Sequence, residues 1–124
     1  MALGKHVIVE LMDCDRQRLS DCDFLRTALL SACRAAGATI LGDQFHVFSP
    51  YNGVSGVIII AESHLSVHTW PEYNYAAVDI FACGNSLRPY EAVDVMVHEL
   101  RAKSHSVLEL DRGVISTLVT QDER

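Results

Sequence analysis

The uninterrupted apolar run Val57-Ile58-Ile59-Ile60-Ala61 constrains this chain more than any other segment. A β-strand sends successive side chains to opposite faces, so a strand with no polar position needs cover on both. The strand Val54 to Ala61 is therefore expected to be buried on both sides, inside a sheet that has helices on one face and a partner subunit on the other. The run is too short to cross a membrane as a helix, which takes roughly 20 residues.

The neighbouring segments supply the rest of that sheet. His6 to Leu11 is rich in β-branched residues and reads as a first strand ending near Met12. Leu25, Ala28, Leu29, Ala32, Cys33 and Ala36 recur at helical spacing, with Ser20 or Asp21 as N-cap and Gly37 as the stop. Thr39 to Phe48 reads as a strand, and the turn formers Ser49 to Gly53 follow it. His64 to Trp70 and Tyr75 to Ala82 read as strands joined through Pro71 to Asn74. Pro89 opens a helix that places Ala92, Val93, Met96, Val97 and Leu100 on one face, with a Glu99 to Lys103 ion pair expected at its end. Ser106 to Asp111 is a last strand, and Gln121 to Arg124 a frayed tail. The order β-α-β-β-β-β-α-β, with strands in adjacent runs, predicts an α+β two-layer sandwich: a mainly antiparallel sheet with two helices on one face. A single domain over residues 1–124 is expected, with no repeat, linker or low-complexity tract.

Composition excludes several partners. Ten Lys and Arg against sixteen Asp and Glu leave a net charge of -6, which repels a phosphate backbone, so no nucleic acid is expected. No membrane partner is expected either, and with no secretory signal at the N-terminus a cytoplasmic address follows. Cys14, Cys22, Cys33 and Cys83 form no C-x-x-C pair, so reduced thiols are expected rather than a zinc ribbon or a redox dithiol.

Between Ser55 and Cys83 the chain concentrates hydroxyl, imidazole, carboxylate and thiol groups at predicted strand ends. Ordinary strand surface and core account for such residues in most proteins. Three chemical readings compete with that one. Glu62, His64 and His68 share a strand face, but positions four apart lie about 13 Å from each other, too far to share one metal ion, and no metal is expected. Cys83 activated by His68 could form a nucleophilic thiolate pair, although no hydrolase signature surrounds it. In the third, the Ser63 hydroxyl attacks the carbonyl of its own preceding peptide bond, helped by backbone strain and an oxyanion donor. A base such as His68 then eliminates the resulting ester, the chain breaks after Glu62, and a terminal pyruvoyl group remains. Physical chemistry permits this last reading without singling it out.

The runs Gly53-Val54-Ser55-Gly56-Val57, Ala61-Glu62-Ser63-His64-Leu65-Ser66-Val67-His68-Thr69-Trp70-Pro71-Glu72-Tyr73 and Ala76 to Gly84 closely resemble the short prokaryotic S-adenosylmethionine decarboxylase proenzymes, as do the start GKHVIVELMDCD and Phe45-His46. The resemblance spans nearly the whole chain and implies specific roles. Ser63 becomes a covalent pyruvoyl cofactor, dividing the chain into 1–62 and 63–124. His68 is the base for elimination, Ser55 assists processing, and Cys83 returns a proton to the substrate carbon. Glu72 binds ribose and Phe48 is the platform for adenine. A Schiff base to the pyruvoyl carbonyl delocalises the charge left by carbon dioxide, and the product feeds spermidine synthesis. The family also implies a homodimer of processed chains with pockets near the subunit interface.

Two positions depart from the family pattern. The loop Pro50-Tyr51-Asn52-Gly53 is one residue longer than usual, just after Phe48, and Asn74 stands where glycine is usual, a replacement tolerated at positive φ. Relatives that use the same serine, histidine and cysteine decarboxylate arginine or ornithine, so a basic amino acid is the alternative substrate. An inactive homologue that binds or regulates is the alternative of another class.

Overall fold

The structure, a computed structural model, describes residues 1–115; the tail expected to fray lies outside them. In chain order it contains β1 (Ala2–Met12), α1 (Arg16–Leu19), α2 (Cys22–Ala35), β2 (Ile40–Phe48), β3 (Gly53–Ile60), β4 (Ser63–Trp70), a 3₁₀ turn (Pro71–Tyr73), β5 (Tyr75–Cys83), α3 (Pro89–Glu99) and β6 (Ser104–Val114). The six strands form one sheet in the order β2-β3-β4-β5-β1-β6, every neighbouring pair antiparallel. This is the expected α+β sandwich.

The helices form where the sequence signals them. Asp21, rather than Ser20, caps α2 by accepting a hydrogen bond from the Phe24 amide at 3.0 Å, and Gly37 leaves the helix at φ 81°. Pro89 opens α3. A third helix, the single turn α1, was not expected. Asp15 caps it by accepting from the amides of Gln17 and Arg18, but four residues are too few to show a period.

The core lies between this helical layer and one sheet face. Leu25, Leu29 and Met96 pack there with Val7, Leu11, Ile58, Leu65 and Ile80, all essentially without solvent exposure. Each such side chain contributes about 1.5–3 kcal/mol through burial. Thr69 is the buried polar exception among the described residues. Its hydroxyl donates to the Leu19 carbonyl at 2.7 Å and accepts from the Val54 amide at 2.9 Å, fastening α1 to β3 and β4. Gly56 on β3 makes room for the Phe45 ring, because a Cβ there would lie 2.0 Å from it and would have to displace it.

One expectation is met on one face only, and another needs correction. This chain alone does not cover both faces of the segment Val54 to Ala61, whose second cover was expected from a partner subunit. Val54, Ile58 and Ile60 are buried, whereas Val57 is half-covered, Ile59 is 46% exposed, and Ala61 lies in the turn. All the helices pack on one side, so the alternate face of the sheet is open. The Glu99 to Lys103 pair does not form either. Helix α3 ends at Glu99, Arg101 turns the chain at φ 55°, and Glu99 lies 4.0 Å from Arg18 instead.

Candidate active site

The residues singled out in the sequence fall into two groups at opposite ends of the β3–β4 hairpin. At the first end, Ala61 and Glu62 form a two-residue connection, and Ile60 pairs with Ser63. The Ala61 amide donates to the Thr39 carbonyl at 2.9 Å. The Glu62 carboxylate accepts from the Thr39 amide at 3.1 Å and its hydroxyl at 3.3 Å. That amide, then the amide of Glu62 itself and the Thr39 hydroxyl, hold the Glu62 carboxyl below its ordinary range.

Fixed in this way, the turn leaves Ser63 at φ 145°. That region belongs to glycine, and an L-residue held in it carries about 1–3 kcal/mol of strain. The carbonyl before Ser63 is also polarised, because the Glu62 oxygen accepts a 2.9 Å hydrogen bond from the Cys83 amide. This is the distance at which an amide stabilises an oxyanion. The Cys83 thiol is exposed beside it. A strained peptide bond, an adjacent hydroxyl and a preset donor thus meet at one point.

At the second end, Ser55 and His68 are cross-strand partners, and Ser55 Oγ lies 2.9 Å from His68 Nδ1. They line a cavity of about 280 Å³ with Phe48, Tyr51, Trp70 and Glu72. Phe48 is half-exposed and packs edge-on against His46, with ring centroids 4.5 Å apart. Asn52, in the lengthened loop, adopts φ 60°. Asn74 sits in the left-handed region at φ 53°, as its replacement of glycine requires, and its side chain donates to the Cys14 carbonyl at 3.1 Å.

The two groups do not touch within one chain. His68 is five residues along β4 from Ser63, a separation of about 16 Å in an extended strand. Ser55, opposite His68, is equally remote. The thiolate pair of Cys83 and His68 fails for the same reason, since Cys83 faces Glu62 while His68 pairs with Ala77 at the far end of β5. Nor do Glu62, His64 and His68 converge. Sequence reasoning missed a different cluster, in which His6, His64 and Asp79 bring ligand atoms within 4.8 Å of one another. They come from three strands, and only the order β4-β5-β1 makes them neighbours.

The thiols differ as sharply. Burial pushes Cys33 up to about 12, and burial with the nearby Asp13 charge pushes Cys14 up to about 11, so both are inert core groups.

Comparisons with known proteins show which family this fold and sequence belong to. A family model described as S-adenosylmethionine decarboxylase matches residues 5–113. A protein of Pseudomonas aeruginosa (strain UCBPP-PA14) named S-adenosylmethionine decarboxylase proenzyme is 49% identical over 112 residues, covering 90% of this chain and 69% of the relative. One of the same name from Prochlorococcus marinus (strain MIT 9313) is 48% identical over 118 residues, covering 95% and 94%. The crystal structure of the adenosylmethionine decarboxylase from Aquifex aeolicus VF5 superposes with a TM-score of 0.84 at 32% identity, covering 94% of this chain and 95% of that one. With the match extending through both ends of the hairpin, this chain belongs to the S-adenosylmethionine decarboxylase family.

Proposed function

We propose that this chain is a self-processing proenzyme whose product decarboxylates S-adenosylmethionine, supplying the aminopropyl donor of spermidine synthesis in the cytoplasm. The observation that carries the processing step is Ser63 at φ 145° with its preceding carbonyl already hydrogen-bonded by the Cys83 amide. Attack of Ser63 Oγ on that carbonyl relieves the strain and places the developing charge on an oxygen that has a donor in place. Breaking the C–N bond gives an ester and a free amino group on residue 63. A base then removes the α-proton of residue 63, Glu62 departs as a carboxylate, and water releases ammonia from the dehydroalanine to leave the pyruvoyl group. Chain 1–62 and chain 63–124 result. These residues fit such a group, since strain, nucleophile and donor all converge on the one bond that must break.

The base in this scheme is His68, held by Ser55, and it comes from a second copy, since about 16 Å separates it from Ser63 of its own chain. A homodimer formed through the open sheet face, where Ile59, Leu108 and Trp70 are exposed, covers apolar surface and brings the Ser63 end of one protomer to the His68 end of its partner. Phe48 then stacks on adenine, Glu72 accepts from the ribose hydroxyls, and the aromatic wall attracts the sulfonium by about 1 kcal/mol. The pyruvoyl carbonyl, when present, withdraws the electrons left by carbon dioxide. The exposed Cys83 thiol returns a proton to the substrate carbon.

Intact mass under denaturing conditions tests the processing. Two fragments meeting at Glu62 and Ser63, the second reactive toward a carbonyl-trapping reagent, are expected. One unreactive chain contradicts the proposal and leaves the binding or regulatory homologue. Carbon dioxide release is expected from S-adenosylmethionine, and release from arginine or ornithine instead would reassign the substrate.

A further inference from the structure

On the open sheet face, next to the scissile bond, lies a hydrogen-bonded array that the processing scheme does not use. Asp79 of β5 is half-buried and accepts from the Ser66 hydroxyl and from His6 Nε2 at 2.6 Å, with His64 Nε2 at 3.6 Å. Behind it, Arg112 Nη1 of β6 is 3.0 Å from His6 Nδ1. A guanidinium only donates, so His6 Nδ1 accepts and His6 Nε2 carries the hydrogen aimed at Asp79. His64 Nε2, at 3.6 Å, is beyond hydrogen-bond reach of the carboxylate, whose charge still favours the hydrogen on that nitrogen. A nitrogen facing Asp79 carries the proton, which leaves His64 Nδ1 with a free electron pair 3.5 Å from Ser63 Oγ. Phe81 packs against both rings, at 5.5 Å from His6 and 6.0 Å from His64, and Ile59 of β3 faces His64 across the strand pair.

A metal ion suits this array poorly. Ligation through His6 Nε2 would move the ring hydrogen to Nδ1, against the N–H of Arg112. The arrangement instead leaves one nitrogen unprotonated, beside the hydroxyl that must lose a proton.

We infer that His64 accepts the Ser63 hydroxyl proton during the first processing step, with Asp79, backed by His6 and Arg112, as the positioning residue whose charge favours that tautomer. This rests on the self-cleavage proposed above. As Ser63 Oγ bonds to the Glu62 carbonyl carbon, its proton passes to His64 Nδ1. When the C–N bond breaks, the same proton passes to the departing Ser63 nitrogen, and no charge is left over. His68 has no part until the ester exists. The two imidazoles thus divide the reaction, His64 serving the shift from amide to ester and His68 the elimination.

The two steps are separable by hydroxylamine, which cleaves an ester and leaves an amide intact. Freshly translated chains, sampled over time and split with and without hydroxylamine, distinguish the two blocks. His64→Ala is expected to accumulate a precursor that resists hydroxylamine, slowed on the order of 10²-fold, as for loss of a general base. Added imidazole should restore part of that rate, which it cannot do for a misfolded chain. His68→Ala should accumulate a precursor that hydroxylamine cuts after Glu62. Asp79→Asn should slow the first step, and Asp79→Glu should recover part of it. Cleavage of His64→Ala at the wild-type rate, or its arrest at the ester, overturns the assignment while leaving self-cleavage standing. A wild-type chain that never divides removes both.

Discussion

The two ends of the β3–β4 hairpin use similar residues for different ends. At the Ser63 end most of the polar contacts close on backbone: Thr39 holds Glu62 and Ala61, and the Cys83 amide holds the Glu62 carbonyl. The result is a rigid turn with one residue in a glycine conformation. At the His68 end the contact that matters joins two side chains, Ser55 and His68, on the rim of a cavity. Backbone contacts concentrate strain and polarisation on a single bond, whereas side chains around a cavity recognise something that arrives from outside. Each end is incomplete, and the extended strand between them keeps them apart.

That contrast can be broken or sharpened at named positions. The largest effect is expected from Cys83→Ala. The donor to Glu62 is the backbone amide, so the variant should still divide into two chains on a denaturing gel, while carbon dioxide release falls on the order of 10²-fold for want of the proton donor. Loss of cleavage instead would assign the thiol to the Ser63 end as well. Next comes Gly56→Ala, whose new methyl group displaces the Phe45 ring. Thermal or denaturant unfolding should show a loss of about 1–3 kcal/mol, with the Ser63 turn still able to cleave.

A smaller effect follows from Asp79. Burial alone would raise its carboxyl, but Ser66, His6 and the charge of His64 outweigh that and hold it below the ordinary range. The native state therefore binds fewer protons there than the unfolded chain, so this contribution is present above the unfolded value and lost as pH falls through the folded one. Unfolding of Asp79→Asn should accordingly depend less on pH at the acid end than wild type. The smallest perturbation is alkylation of the folded protein. Cys83 should react first, and Cys14 and Cys33 only after unfolding, as mass shifts will show.

Much of the fold was legible because its signals are local. The cap at Asp21, the stop at Gly37 and Pro89 at the start of α3 each act within one turn of helix. What escaped depended on distant or very short features. A four-residue helix has no period to read, and Arg101 ended the helix before Lys103 could reach Glu99. The apolar run in β3 signalled that both faces need cover, and this chain supplies it on one of them. In the site, the motif residues could be picked out by resemblance, but their grouping could not. Ser55 meets His68 through hairpin register, and His64 meets Asp79 and His6 through strand order, neither of which is written in residue spacing.

Complementation decides most directly whether the Ser63 end of one chain works with the His68 end of another. Ser63→Ala and His68→Ala, each produced alone, should remain unsplit on denaturation with hydroxylamine omitted. Produced together, with distinguishable masses, they should form mixed dimers in which the His68→Ala chain divides at Glu62 and Ser63, using His68 of its partner, while the Ser63→Ala chain stays whole. If the His68→Ala chain stays whole in the mixed dimer, processing does not cross between copies, and the division of labour between the two hairpin ends is wrong.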